Sequence, residues 1–118
     1  MIGDAQQLQL RGELEQQREH LRREIEEHGG DADSDDAAFD VERGFADSAH
    51  STAERARLLS VLKALRANLR LVNRALTKME LGTYGVCEAC GQPIGAERLE
   101  ALPWAILCFD CKQKGEGR

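Results

Sequence analysis

Between Arg57 and Glu80 the apolar residues Leu58, Leu62, Leu65, Leu69, Val72, Leu76 and Met79 succeed one another at steps of 4, 3, 4, 3, 4 and 3. This is the a/d rhythm that keeps one apolar seam along an α-helix. No Pro or Gly interrupts the chain between Ser48 and Leu81, and Ser51-Thr52-Ala53-Glu54 reads as a capping box at the start. Gly82, just past Leu81, supplies a C-terminal stop. A helix from about Thr52 to Glu80 runs roughly 43 Å at the α-helical rise. Upstream, Leu8, Leu10, Leu14, Leu21 and Ile25 repeat a sparser version of the pattern until Gly29-Gly30 ends it. Neither stripe can stay in water. Packing the two helices against each other as an antiparallel hairpin buries both, so the fold class expected is mainly α, a long antiparallel coiled-coil hairpin.

The connecting segment, from Gly29 to His50, is rich in Asp, Gly and Ala. Its composition is compatible with disorder. Phe39, Val41 and Phe45 argue for some order, either capping the end of the coiled coil or touching a partner. From Asp31 to Asp47 seven acids, Asp31, Asp33, Asp35, Asp36, Asp40, Glu42 and Asp47, face a single Arg43. The whole chain carries a net charge of −5, so the remainder is nearly balanced. Nucleic-acid binders gain affinity by neutralising phosphates with Lys and Arg, and 16 of those against 21 acids make autonomous, sequence-specific DNA binding a poor expectation.

After the second helix come Cys87-Glu88-Ala89-Cys90 and Cys108-Phe109-Asp110-Cys111, two C-x-x-C knuckles separated by seventeen residues. Each knuckle aims two thiolates at one point, and two knuckles complete the tetrahedral shell of Zn²⁺. The candidate ligands are therefore Cys87, Cys90, Cys108 and Cys111. With four protein ligands and no open position, the zinc is expected to be structural. A redox dithiol would leave the second pair unexplained. Two disulfides would need an oxidising compartment, and Met1 to Leu10 shows no basic region followed by an apolar core, so a cytoplasmic location is expected. Ile94, Leu99, Leu102, Trp104, Ile106 and Leu107 would form a miniature core beneath the metal.

These readings divide the chain into a coiled-coil arm over 1–81 and a zinc finger over 82–118 with a short C-terminal helix. Within the arm, a helix covers about 6–28, an acidic tip 29–50, and a second helix about 51–81. Aromatics are 4% and charged residues 31% of the chain, a balance that favours an elongated shape over a globule. No apolar run approaches the roughly 20 residues that span a bilayer, so no membrane association is expected. His20, His28 and His50 are scattered, and no carboxylate pair suggests tuned acid–base chemistry, so an enzyme is not expected.

The run Tyr84-Gly-Val-Cys87-Glu-Ala-Cys90-Gly-Gln-Pro-Ile94-Gly, then Arg98-Leu-Glu-Ala-Leu-Pro103, then Leu107-Cys108-Phe-Asp-Cys111-Lys resembles the zinc finger of the bacterial DksA/TraR family. The resemblance covers Gly82 to Lys112 closely and the region upstream more loosely, where the family carries a long antiparallel coiled coil. It implies a transcription regulator that binds RNA polymerase without contacting DNA, passing its coiled-coil tip through the secondary channel toward the active centre. An acidic tip suits a channel leading to a Mg²⁺ site. The family's tip motif, Asp-x-x-Asp-x-Ala, places its second Asp and its Ala on Asp47 and Ala49 when counted back from Cys87 without gaps. Its first Asp falls on Gly44, a departure from the pattern. Asp47 would also serve as a simple helix N-cap.

Members that cooperate with the alarmone guanosine tetraphosphate use basic residues on the second helix, and two of these positions fall on Ala64 and Leu71. Neither can pair with phosphate, which counts against alarmone dependence. Arg66 and Arg70 lie nearby and read as the solvated face of the coiled coil. A hairpin folded back on itself is expected to be a monomer. Two alternatives stand beside the regulator: a polymerase-channel competitor without regulatory activity, which Gly44 would permit, and a coiled-coil adaptor unrelated to polymerase that dimerises through its seam.

Overall fold

Two long helices take up the two apolar stripes: α1, Asp4–Glu27, and α2, Thr52–Leu81. The computed structural model describes residues 3–34, 36–38, 41 and 51–115. The capping box forms as the sequence suggests. Ser51 Oγ accepts from the Glu54 N–H at 3.1 Å, and Glu54 Oε1 accepts from the Ser51 N–H at 3.3 Å. Two donors that the helix start would leave orphaned are thereby satisfied.

Both helices end in the same way. At the end of α1, Gly29 turns to φ +87°, its N–H meets the Glu26 carbonyl at 3.0 Å, and the Gly30 N–H meets the Ile25 carbonyl at 2.9 Å. At the end of α2, Gly82 has φ +77°, with Gly82 N–H to Met79 O at 3.3 Å and Thr83 N–H to Lys78 O at 2.8 Å. These are Schellman closures, and the left-handed residue in each is a glycine because a Cβ is strained there.

Two compact units share the helices. One joins Met1–Gln17 to Leu71–Arg118, and the other is Arg18–Arg70. The first half of each helix thus shares a unit with the second half of the other, as an antiparallel hairpin requires. In the first unit Leu10 and Leu14 of α1 are buried, as are Val72, Ala75, Leu76 and Met79 of α2. In the second, Leu21 and Ile25 are buried with Leu62 and Leu69, and Ala32, Ala37 and Val41 of the connecting segment are buried as well. Each fully buried Leu or Ile contributes about 1.5–3 kcal/mol relative to exposure, so these seam residues dominate the stability of the helical part.

Two expectations about individual residues are corrected. Leu8 is 72% exposed. It lies two residues before Leu10, and on a helix that spacing points the two side chains in different directions, so only Leu10 stays in phase with Leu14, Leu21 and Ile25. Arg66, expected on the solvated face, is 2% exposed, because residues 31–34 lie against it through the Asp31 and Ser34 carbonyls. Arg70 does remain exposed.

Beyond α2 the first unit contains two short helices, α3 Ala96–Ala101 and α4 Phe109–Gly115. No strand occurs among the described residues; a lone antiparallel bridge pairs Val86 with Pro93.

Candidate metal centre and its supports

The first knuckle is built on that bridge. Gly85 O accepts from the Ile94 N–H at 2.8 Å, Gln92 O accepts from the Cys87 N–H at 2.8 Å, and Cys87 O accepts from the Gly91 N–H at 3.0 Å. The chain therefore reverses tightly between Cys87 and Gln92 and brings Cys90 back beside Cys87. The second knuckle uses a helix start. Cys108 immediately precedes α4, its carbonyl accepts from the Lys112 N–H at 2.9 Å, and Cys111 lies in the first turn. A bond from Glu88 N–H to Ile106 O, 2.9 Å, ties one knuckle to the segment leading into the other.

This arrangement gathers all four candidate ligands. The sulfurs of Cys87, Cys90, Cys108 and Cys111 all lie within 4.8 Å of one another, and Cys90 Sγ is 3.8 Å from Cys108 Sγ. Zinc–thiolate bonds of about 2.3 Å in a tetrahedron put sulfurs roughly 3.8 Å apart, so the cluster fits a Zn²⁺ ion. No other group of three or more candidate ligands is found among the described residues.

The thiols report the same crowding. Burial pushes the Cys87 thiol up, but hydrogen bonds from the backbone of Cys108, Cys90 and Ala89 and from the Cys90 side chain outweigh it, bringing Cys87 down to about 6. Cys111 is pushed up to about 12 by hydrogen bonding with Cys108, Cys90 and Cys87, with burial and the Cys108 charge adding to it. Four thiolates this close repel one another, and a divalent cation at their centre is what lets all four ionise.

Beneath the sulfurs, Ile94 and Leu99 of the expected miniature core are buried, while Leu102, Trp104, Ile106 and Leu107 are half-buried. Tyr84 joins them unannounced by the spacing. It is 6% exposed, and its hydroxyl donates to the Pro103 carbonyl at 2.9 Å. Burial first, and the charge of Glu13 second, push its phenol up to about 12.

Glu88 was also not singled out by the sequence. Its Oε2 accepts from Arg74 Nε at 2.6 Å and from Lys78 Nζ at 3.3 Å, fastening the first knuckle to α2. Hydrogen bonding to Arg74 chiefly holds the Glu88 carboxyl below the usual range. Arg74 and Lys78 sit one turn apart on the same helix face, a signal that exists in the sequence but names no partner.

The remaining expected positions divide. Asp47 and Ala49, the candidate tip contacts, lie outside the described residues, as do Gly44, Phe39 and Phe45. Ala64 is exposed on α2, and Leu71 is half-buried in a groove with Leu102, Trp104, Ile106 and Leu107 that Arg98 and Lys112 also line.

Residues 82–117 match the family model of the prokaryotic dksA/traR C4-type zinc finger. An RNA polymerase-binding transcription factor DksA of Caulobacter vibrioides is 35% identical over 99 residues, covering 84% of this chain and 60% of the relative. General stress protein 16O of Bacillus subtilis is 43% identical over 72 residues, 61% of this chain and 44% of the relative. The chain thus spans three fifths or less of the length of these relatives. Among solved structures, the transcription factor DksA2 from Pseudomonas aeruginosa superposes with a TM-score of 0.70 at 29% identity, covering 98% of this chain and 86% of that one. With the finger matched and the four sulfurs convergent, the metal is a structural zinc. Residues 82–117 thus form a zinc finger of the DksA/TraR family, carried on a chain whose fold is that of DksA2.

Proposed function

We propose that this protein regulates transcription by binding bacterial RNA polymerase through its secondary channel, with the end of the coiled-coil hairpin near the active centre and without sequence-specific DNA contact. The observation that carries this reading is the likeness of hairpin and finger together, over 98% of the chain, to the DksA2 transcription factor. Relatives named as RNA polymerase-binding transcription factors support the choice of partner. In this reading the arm is 1–81, the finger is 82–118, and Cys87, Cys90, Cys108 and Cys111 hold the zinc as a structural base. Asp47 and Ala49 make the contact at the tip. The seven acids between Asp31 and Asp47 give the hairpin end a charge suited to a Mg²⁺-containing site. The protein acts as a cytoplasmic monomer and is not an enzyme.

Alarmone dependence is not part of the proposal. The side chains of Ala64 and Leu71 carry neither charge nor hydrogen-bond donor, so neither can pair with a phosphate. Gly44, where the family's tip motif has an acid, favours a second reading in which the protein occupies the channel without altering promoter complexes. In vitro transcription with purified polymerase, with and without protein and alarmone, separates the two. Asp47→Asn is expected to fold and bind normally but to weaken promoter-specific effects. An unchanged transcription profile with binding retained would refute the tip assignment.

A further inference from the structure

A coiled-coil seam built for stability alone would not bury an arginine. Arg66 lies between Leu65 and Leu69 and is 2% exposed. Removing a guanidinium from water is costly unless its donors are satisfied, and replacing such buried charges by apolar residues is often stabilising. The two terminal nitrogens of Arg66 donate to backbone carbonyls far away in sequence. Nη1 donates to the Ser34 carbonyl, and Nη2 donates to the Asp31 carbonyl at 2.8 Å.

The other helix adds a second hold on the same stretch. Arg22 of α1 donates through Nη2 to Asp33 Oδ1 at 2.8 Å and through Nη1 to the Ala32 carbonyl at 3.5 Å. Four consecutive residues, 31–34, are therefore each held by an arginine from one helix or the other. The segment is folded tightly within itself. Ser34 N–H meets Asp31 O at 3.0 Å, Asp33 N–H meets Asp31 Oδ1 at 2.9 Å, and Asp36 N–H meets Ser34 Oγ at 3.2 Å. Ala32, Ala37 and Val41 are buried beside it. Asp31, Asp33 and Asp36 would repel one another in this fold, and two guanidinium groups offset that repulsion.

We propose that Arg66, seconded by Arg22, is a positioning residue that clasps residues 31–34 onto the hairpin and so fixes how the acidic segment is presented to polymerase; the last step rests on the polymerase reading above. In this proposal the buried charge of Arg66 serves position more than stability.

The test uses the zinc-loaded full chain with Arg66→Met, which keeps bulk at this position and removes the guanidinium with its bonds to Ser34 O and Asp31 O. Three quantities are read: amide hydrogen exchange, polymerase affinity by competition, and the lifetime of promoter complexes. The expected result is exchange at Asp33, Ser34 and Asp36 about tenfold faster or more, with α2 amides unchanged. Polymerase affinity should be little altered while the promoter effect is lost. A purely structural role would lower affinity and effect together. Arg22→Gln, at a half-exposed site, gives the same readouts at smaller amplitude and decides the matter should Arg66→Met fail to fold. Unchanged exchange in both variants overturns the clasp. Accelerated exchange with a full promoter effect overturns positioning. Should the wild-type protein leave polymerase unaffected, the polymerase reading fails on its own and the exchange measurement still decides the clasp.

Discussion

Substituting Leu99 by alanine should weaken zinc binding although Leu99 carries no metal ligand. Leu99 sits on α3, is 1% exposed, and packs so that its Cδ1 would lie 3.4 Å from a Cβ at Gly85. Leucine-to-alanine changes at such sites cost about 2–5 kcal/mol, partly in lost transfer energy and partly in the cavity left behind. In a finger whose buried residues are so few, folding and metal binding are one linked event, so the loss appears in the metal affinity. A loss of about 3 kcal/mol corresponds to roughly a hundredfold weaker zinc binding. The assay is competition for zinc against a chromophoric chelator at fixed pH under reducing conditions. Far-UV circular dichroism is followed in parallel and should retain most of the α1 and α2 signal. Leu8→Ala, at a residue 72% exposed, is the control and should change nothing. If Leu99→Ala lowers thermal stability but leaves zinc affinity within about twofold of wild type, the finger is preformed without metal and the linkage is refuted.

Two further outcomes follow from local geometry. Ser51→Ala removes the Ser51 Oγ bond to the Glu54 N–H and should cost about 1 kcal/mol, read as a lower midpoint in urea with an unchanged slope. Tyr84 is the single tyrosine of the chain, so its phenolate absorbance can be titrated directly and should appear only near pH 12. Because the folded phenol titrates above its ordinary value of 10.0, the stability it contributes is full below that value and is lost as pH rises toward about 12. A phenolate forming near pH 10 in the folded protein would show that the hydroxyl is not held inside.

Most of the helical architecture was legible because it is periodic. The 3–4 spacing from Leu58 to Met79 needs nothing but itself to define a face, and Gly29 and Gly82 mark stops by their chemistry. The cysteines were legible for a similar reason, since metal geometry constrains spacing directly. Leu8 misled because a sparse stripe with leucines two apart admits more than one phase. Arg66 was illegible for a different reason: its partners are backbone carbonyls 32 and 35 residues upstream, and carbonyls leave no trace in side-chain identity. Tyr84 and Glu88 belong to the same class. Their roles depend on where Pro103, Arg74 and Lys78 come to rest, which is a property of the assembled finger and not of any local pattern.

The unit that contains the finger is discontinuous in sequence, and this bears on how the chain comes into being. Met1–Gln17 is made well before its companions in that unit, which begin only at Leu71. One contact within it, Gln6 Nε2 to Glu100 Oε1 at 3.2 Å, spans 94 positions. Closure over so long a separation is entropically slow and goes unrewarded until the late residues exist. A nascent chain stopped before Leu71 leaves Leu10 and Leu14 without their companions on α2, and one stopped before Cys108 lacks half of the sulfur cluster. Metal capture therefore waits for the second knuckle, and it marks a chain that has been made at least through Cys111.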